Sequence, residues 1–159
     1  ALRAQLVMDD YLVNNLGGHM AILLRQHEPA VATRVNGAGL ACGHLWGHYD
    51  MVGTPQQPVC VYESFGEREG ELNLFQEHAV PIRDGTSYPL LIESELRGDK
   101  KRARVVIGDY DSGWFDDPNT GWDHTVDDSI MFAHVFQTPG APAWQIRLTD
   151  MSVEWRALE

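Results

Sequence analysis

The chain has 159 residues, of which 43% are apolar, and this length and composition are typical of one folded domain. It carries 12 Lys and Arg against 23 Asp and Glu, so its formal net charge is −11. Such a charge repels phosphate backbones and anionic lipid headgroups, which makes nucleic acids and membrane surfaces poor partners. The sequence lacks a transmembrane stretch of roughly 18 apolar residues, and its N-terminus lacks a signal-peptide pattern.

The first segment has apolar residues close to helical spacing, followed by Gly17-Gly18 as a stop signal; they are Leu2, Leu6, Val7, Leu12, Val13 and Leu16. The spacing predicts a short amphipathic helix over residues 1–18, connected to a domain over residues 19–159. The helix either packs on the domain or ends a stalk that makes a homo-oligomer, and the sequence leaves both open. Removing residues 1–17 is expected to leave a cooperatively folded β domain.

Most of the remaining chain consists of short apolar, β-rich runs that are separated by turn residues. These runs lie at residues 20–25, 40–46, 59–65, 71–75, after Asp84-Gly85, and at 102–109, 130–136 and 144–155. Gly-bracketed or charged turns join 59–65 to 71–75 and the run after Asp84-Gly85 to 102–109, which predicts two hairpins. The pattern predicts an all-β fold, specifically a two-layer antiparallel jelly-roll β-sandwich with a short N-terminal helix.

Four predicted strands carry a more detailed prediction. One hairpin has a dry face and a wet face, the dry one formed by Leu90, Ile92, Leu96, Ala103, Val105 and Ile107. Residues 130–136 are apolar on both faces, which predicts a central strand. The last strand changes phase, from Trp144, Ile146 and Leu148 to Met151, Val153 and Trp155, and this predicts a β-bulge near Thr149-Asp150.

Two cysteines, Cys42 and Cys60, lie in separate predicted strands. They could form a disulfide between neighbouring strands, but so sparse a pair favours two small buried hydrophobic residues. The cysteines therefore leave the redox compartment open.

An acidic loop over residues 109–128 is the first candidate site. It contains seven aspartates with Trp114, Phe115 and Trp122 among them, and the candidate metal ligands are Asp109, Asp111, Asp117, Asn119 and Asp123. Oxygen-rich loops bind Ca²⁺, and partly exposed tryptophans beside carboxylates suit sugars, so Trp114 and Trp122 are candidate sugar contacts. A solvated loop without a ligand is the third interpretation, and it has about as much weight as the other two together.

Two further groups of residues are candidate sites. On a continuous strand His44, Trp46 and His48 share a face, where the imidazoles lie roughly 13 Å apart, too far for one zinc ion. This face is predicted to be polar, partly exposed and able to contact a ligand. The glutamates Glu63, Glu67, Glu69 and Glu71 could supply the carboxyl pair of a glycosidase, but their Gly-bracketed turn favours a solvated hairpin.

Three segments resemble the concanavalin A-like, laminin-G-like jelly-roll lectin superfamily. They are residues 84–93 (Asp-Gly-Thr-Ser-Tyr-Pro-Leu-Leu-Ile-Glu), residues 102–109 and residues 144–155 (Trp-Gln-Ile-Arg-Leu-Thr-Asp-Met-Ser-Val-Glu-Trp). The resemblance is a pattern of strands over most of residues 19–159. It implies carbohydrate binding, often with calcium, in modules that cap phage tail fibres and spikes or accompany polysaccharide-degrading enzymes. The Glu-x-Asp-x-x-Glu motif of the superfamily's enzymes does not occur here.

The sequence therefore predicts a non-catalytic glycan-binding module, extracellular or on a virion, with a surface polysaccharide as its partner and Ca²⁺ as a candidate cofactor. The alternatives are a structural sandwich subunit of a virion or other assembly, and a polysaccharide hydrolase or lyase that uses the glutamate group and a histidine.

Overall fold

The computed structural model of the chain describes residues 1–11, 18–26, 37–46, 51–54, 57–65, 72–97, 100–117, 131–136 and 144–154. These residues form antiparallel β-strands and a one-turn 3₁₀ helix, Gln76–His78. The strands are β1 (Leu2–Asp9), β2 (Gly18–Gln26), β3 (Gly37–Trp46), β4 (Met51–Val52), β5 (Val59–Phe65), β6 (Leu72–Leu74), β7 (Val80–Pro81), β8 (Ser87–Arg97), β9 (Lys100–Ile107), β10 (Tyr110–Asp111), β11 (Phe115–Asp116), β12 (Met131–Phe136) and β13 (Gln145–Val153). The all-β prediction is confirmed.

The strands form two sheets. Sheet A has the order β10-β9-β8-β1-β13, with β11 also paired to β9. Sheet B has the order β12-β2-β3-β5-β6, with β4 on β3 and β7 on β5. Among the described strands β12 pairs only with β2, so it ends the order of sheet B instead of lying centrally as predicted.

One apolar core joins the two sheets. It takes side chains from β1, β8 and β9 of sheet A and from β3 and β5 of sheet B, among them Leu2, Leu6, Ile92, Leu40 and Tyr62. Because neighbouring side chains on a strand alternate between faces, each sheet turns one face to this core and the other away from it. We call these the inner and outer faces.

The predicted N-terminal helix is wrong, because Leu2–Asp9 is a strand in the middle of sheet A. It pairs with β8 on one edge and with β13 on the other. Leu2, Leu6 and Met8 lie on its inner face and are fully buried, which explains why the segment is a strand: its apolar residues alternate. A strand paired on both edges cannot serve as a coiled-coil stalk, so this route to an oligomer is removed.

Both predicted hairpins are confirmed. Strand β5 pairs with β6, and β8 pairs with β9 from Leu90↔Ile107 to Arg97↔Lys100. In the second hairpin, Ile92 and Val105 are buried on the inner face, whereas the outer face carries cross-strand pairs of opposite charge. One side of this hairpin is dry and the other is solvated, as the alternating pattern predicts.

The predicted bulge lies where β13 pairs with β1. Arg3 pairs with Ser152 and Gln5 pairs with Thr149, so two residues of β13 lie opposite one residue of β1. Asp150, one of these two, has a positive φ of 52°, a backbone conformation that aspartate tolerates better than most residues. The extra residue shifts the phase of the strand, and the side chains that follow change face.

Cys42 and Cys60 form a disulfide, in contrast to the favoured prediction of two buried thiols. They lie directly opposite each other on β3 and β5, with their Cα atoms 4.1 Å apart. This pairing could not be read from the sequence because it depends on the register of two strands whose cysteines are 18 residues apart.

In the part of the chain that the structure describes, no helix is long and apolar enough to cross a membrane.

Candidate functional site

The most exposed aromatic side chain among the described residues is Trp114, which is 36% exposed. It follows Gly113, whose φ of 64° lets the chain turn sharply between β10 and β11. The guanidinium carbon of Arg102 lies 5.6 Å from the centroid of the indole ring, a cation–π contact. A flat apolar ring is thus presented to solvent beside a charged group that can donate hydrogen bonds.

Two carboxylates hold Arg102 beside Trp114. Its Nη1 lies 3.2 Å from Oε1 of Glu95, and its Nε lies 3.5 Å from Oδ1 of Asp116. Asp116 also contacts Nζ of Lys100 at 3.3 Å. We call Trp114, Arg102, Glu95 and Asp116 the Trp114 platform, in which an exposed ring lies among charged donors and acceptors that are paired with one another.

A neighbouring ion-pair group continues this pattern of paired charges along the outer face of sheet A. Arg104 donates from Nε to Oδ1 of Asp111 at 2.9 Å, and its Nη1 donates to Oε2 of Glu93 at 3.3 Å. The Gly113 N–H donates to the same Asp111 oxygen at 2.9 Å. These hydrogen bonds lower the pKa of Asp111 to about 2, because they favour its charged form.

An aromatic cluster behind the platform fixes the segment that carries it. The Phe115 ring packs against Phe75 at 4.9 Å and Tyr62 at 5.2 Å, and it stacks on His78 at 4.5 Å. A hydrogen bond of 2.8 Å joins Nδ1 of His78 to the hydroxyl of Tyr110. Since these contacts connect sheet A to the β5–β6 edge of sheet B, the segment is anchored from both sides, and a ligand would meet a preorganised ring.

The predicted calcium ligands do not come together in the described part of the loop. Asp111 pairs with Val106 and Asp116 pairs with Arg102, so Asp111 and Asp117 lie roughly 15 Å apart along β9. Asp117 is buried, where its Oδ2 accepts a hydrogen bond of 3.1 Å from the Tyr62 hydroxyl. Ligands of one Ca²⁺ ion lie within about 5 Å of each other, so Asp111 and Asp117 cannot share an ion here.

Other candidates are scattered or lie outside the described residues. Asp109 is exposed in the turn between β9 and β10. Among the residues that the structure describes, no group of three or more His, Cys, Asp or Glu could hold a metal ion. Asn119, Trp122, Asp123, His48 and Trp155 are not among those residues.

His44 does not lie on an exposed face, which corrects the prediction of a partly exposed polar strand. It shares the inner parity of Leu40 and Cys42, it is 5% exposed, and burial lowers the pKa of its imidazole. Trp46 lies on the same strand, opposite Met51 of β4, and its side chain is outside the described part of the structure. The predicted contact face is therefore not assembled around His44.

Glu63 is the residue whose surroundings differ most from the prediction. It lies on the outer face of sheet B with Val59 and Val61 and has no exposed surface, whereas a solvated hairpin was expected. Neither carboxylate oxygen has a hydrogen-bond partner in the described structure, and burial raises the pKa of the group to about 8. The continuous apolar run before it, Val59 to Tyr62, was the available signal, since such runs are buried on both faces.

Comparisons with family models, with curated proteins and with solved structures find no match to this chain. The resemblance to jelly-roll lectins therefore stays a prediction, and the function has to be inferred from the residues of the site.

Proposed function

We propose that the protein is a non-catalytic module that binds a neutral glycan through the Trp114 platform. The observation that carries the proposal is the exposed indole of Trp114, fixed beside Arg102, Glu95 and Asp116. Sugar rings stack their C–H faces on an indole, while their hydroxyl groups need directional donors and acceptors near the ring edge. The platform supplies both.

The pairing of the charged side chains favours an uncharged sugar. The cations Lys100, Arg102 and Arg104 are paired with the carboxylates Glu93, Glu95, Asp111 and Asp116. An acidic or basic sugar would have to displace one of these pairs, and the net charge of −11 disfavours an acidic sugar at long range. A neutral hydroxyl group can join the network without breaking it.

The location and the finer fold belong to the same proposal. The Cys42–Cys60 disulfide supports an oxidising compartment, which fits an extracellular or virion protein, because cytosolic proteins rarely keep structural disulfides. Two antiparallel sheets around one core are the architecture that a jelly-roll lectin requires, and we propose that topology for this chain.

The test is a glycan array followed by calorimetry on the best neutral ligand. Trp114→Ala is expected to weaken binding about 30-fold, because truncating an aromatic residue at the centre of a contact costs about 2 kcal/mol. Met151→Ala is the matched control, since Met151 is also large, apolar and exposed, at 49%. Unchanged binding by Trp114→Ala would contradict the proposed site. The lack of any neutral ligand would favour a structural subunit of an assembly.

A calcium titration tests the cofactor prediction separately. Three of the four described aspartates of the acidic loop, Asp111, Asp116 and Asp117, already have partners among Lys100, Arg102, Arg104 and Tyr62, so bound Ca²⁺ is not needed to stabilise these three. We therefore expect the same melting temperature in a chelator and in millimolar calcium. A melting temperature that rises with calcium concentration, as mass action requires, would instead place an ion in the part of the loop that contains Asn119 and Asp123.

A further inference from the structure

We propose that Glu63 is a proton-controlled latch on the outer face of sheet B: with its carboxyl protonated this face stays closed, and ionisation opens it to water. The face consists of Gly39, Ala41 and Gly43 on β3 and of Val59, Val61 and Glu63 on β5. It lies on the opposite sheet from the Trp114 platform, and the inference is independent of glycan binding.

The described residues that pack around Glu63 donate no hydrogen bond to its buried carboxyl. Glu63 pairs with Gly39 on one side and with Leu74 on the other. Ala41 and Val61 form the adjacent pair, both fully buried, and they belong to a small apolar cluster separate from the main core. A carboxyl with neither oxygen hydrogen-bonded tolerates such surroundings only in its neutral form, because a buried charge needs a partner.

No ionisable side chain belongs to the described positions that face Glu63. On β3 and β5 these positions are Gly39, Ala41, Gly43, Val59 and Val61, the partner on β6 is Leu74, and Ala79 packs against the cluster. The next ionisable residue by register on this face is His19 of β2, which pairs with Gly43. Its position is two strands from Glu63 and roughly 16 Å away, so it is too far to form an ion pair.

The direction of the pH effect follows from the raised pKa. The pKa of Glu63 is about 8 in the closed face, against 4.5 for a hydrated carboxyl. The closed state therefore holds its proton over a range in which an opened, hydrated state releases it. The closed state is fully favoured below about pH 4.5, and this advantage is lost as pH rises through about 8. Raising the pH from about 6 to about 9.5 should increase the opening equilibrium on the order of 100-fold.

Amide hydrogen exchange on the full chain tests the latch, with rates corrected for the intrinsic effect of pH. Amides of β3 and β5 should lose on the order of 100-fold protection between about pH 6 and about pH 9.5 in the wild type. Glu63→Gln is the matched variant, because its amide has the same shape and cannot ionise. Its β3 and β5 amides should keep their protection across that range.

Two results would overturn the latch: equal loss of protection in Glu63→Gln, or no loss in the wild type. A second measurement covers the case in which Glu63→Gln does not fold. Carbon-13 NMR of glutamate carboxyls in the wild type should show one group that titrates near pH 8 together with shifts of β3 amides. Ordinary acidic titration of all glutamates would contradict the proposal.

Discussion

Leu6→Ala is expected to lower the free energy of unfolding by about 3 kcal/mol, the range found when a fully buried leucine is truncated. Leu6 is 1% exposed on β1, a strand of sheet A that is paired on both edges, and it packs in the core that both sheets share. Urea denaturation followed by far-UV circular dichroism measures the loss. Arg3→Ala is the matched control, since Arg3 lies on the exposed face of the same strand and its truncation should change stability by less than about 0.5 kcal/mol.

Deleting residues 1–11 extends this test to the whole strand. The truncated chain should show no cooperative melting, because β8 would lose one of its two partner strands, β13 would lose β1, and the core would lose Leu2, Leu6 and Met8. A truncated protein that still melts cooperatively would show that β1 is dispensable, which is the behaviour expected of a peripheral helix.

The first segment shows why local spacing can mislead. Leu2 and Leu6 are four residues apart, a spacing that puts them on one face of a helix and also on one face of a strand. Ala4 and Met8 continue the two-residue alternation and are buried with them. Strand pairing decides between the two structures, and the partners of β1 lie about 80 and 150 residues away in the chain. No window over residues 1–18 contains that information.

Elements that depend on neighbouring residues were predictable. The β8–β9 hairpin is set by its alternation and its short connection, and the bulge at Asp150 is visible as a change of phase within one strand. In both cases the whole signal lies within about 20 residues. The disulfide needed the register of β3 against β5, and no local pattern fixes that register.

The candidate site divides in the same way. The exposure of Trp114 is consistent with its Gly- and Asp-rich surroundings, and the burial of Trp144 is consistent with the phase of its predicted strand. The partners of the aspartates could not be predicted in this way. Arg102 and Arg104 lie on β9, and they meet the aspartates only because β9 pairs with β10 and β11. Seven acidic residues within one loop suggest a metal site only when the arginines of the neighbouring strand are left out of the comparison.

Loss of the Cys42–Cys60 disulfide is the second change with a large expected effect. The bond closes a loop between cysteines 18 residues apart, and the chain-entropy relation gives about 3 kcal/mol of stabilisation for a loop of that length. Both cysteines are fully buried between the sheets, so reduction also leaves two thiols in the core. We expect the urea midpoint of the wild type to fall in a reductant, with the m-value nearly unchanged.

The double variant Cys42→Ala/Cys60→Ala separates the cross-link from other effects of the reductant. Its stability should be lower than that of the oxidised wild type by a similar amount, and it should not respond to reductant. Alkylation of the unfolded wild type should find no free thiol before reduction and two after it. An unchanged urea midpoint on complete reduction would show that the pairing of β3 with β5 and the burial of Cys42 and Cys60 hold this part of the sandwich without the covalent bond.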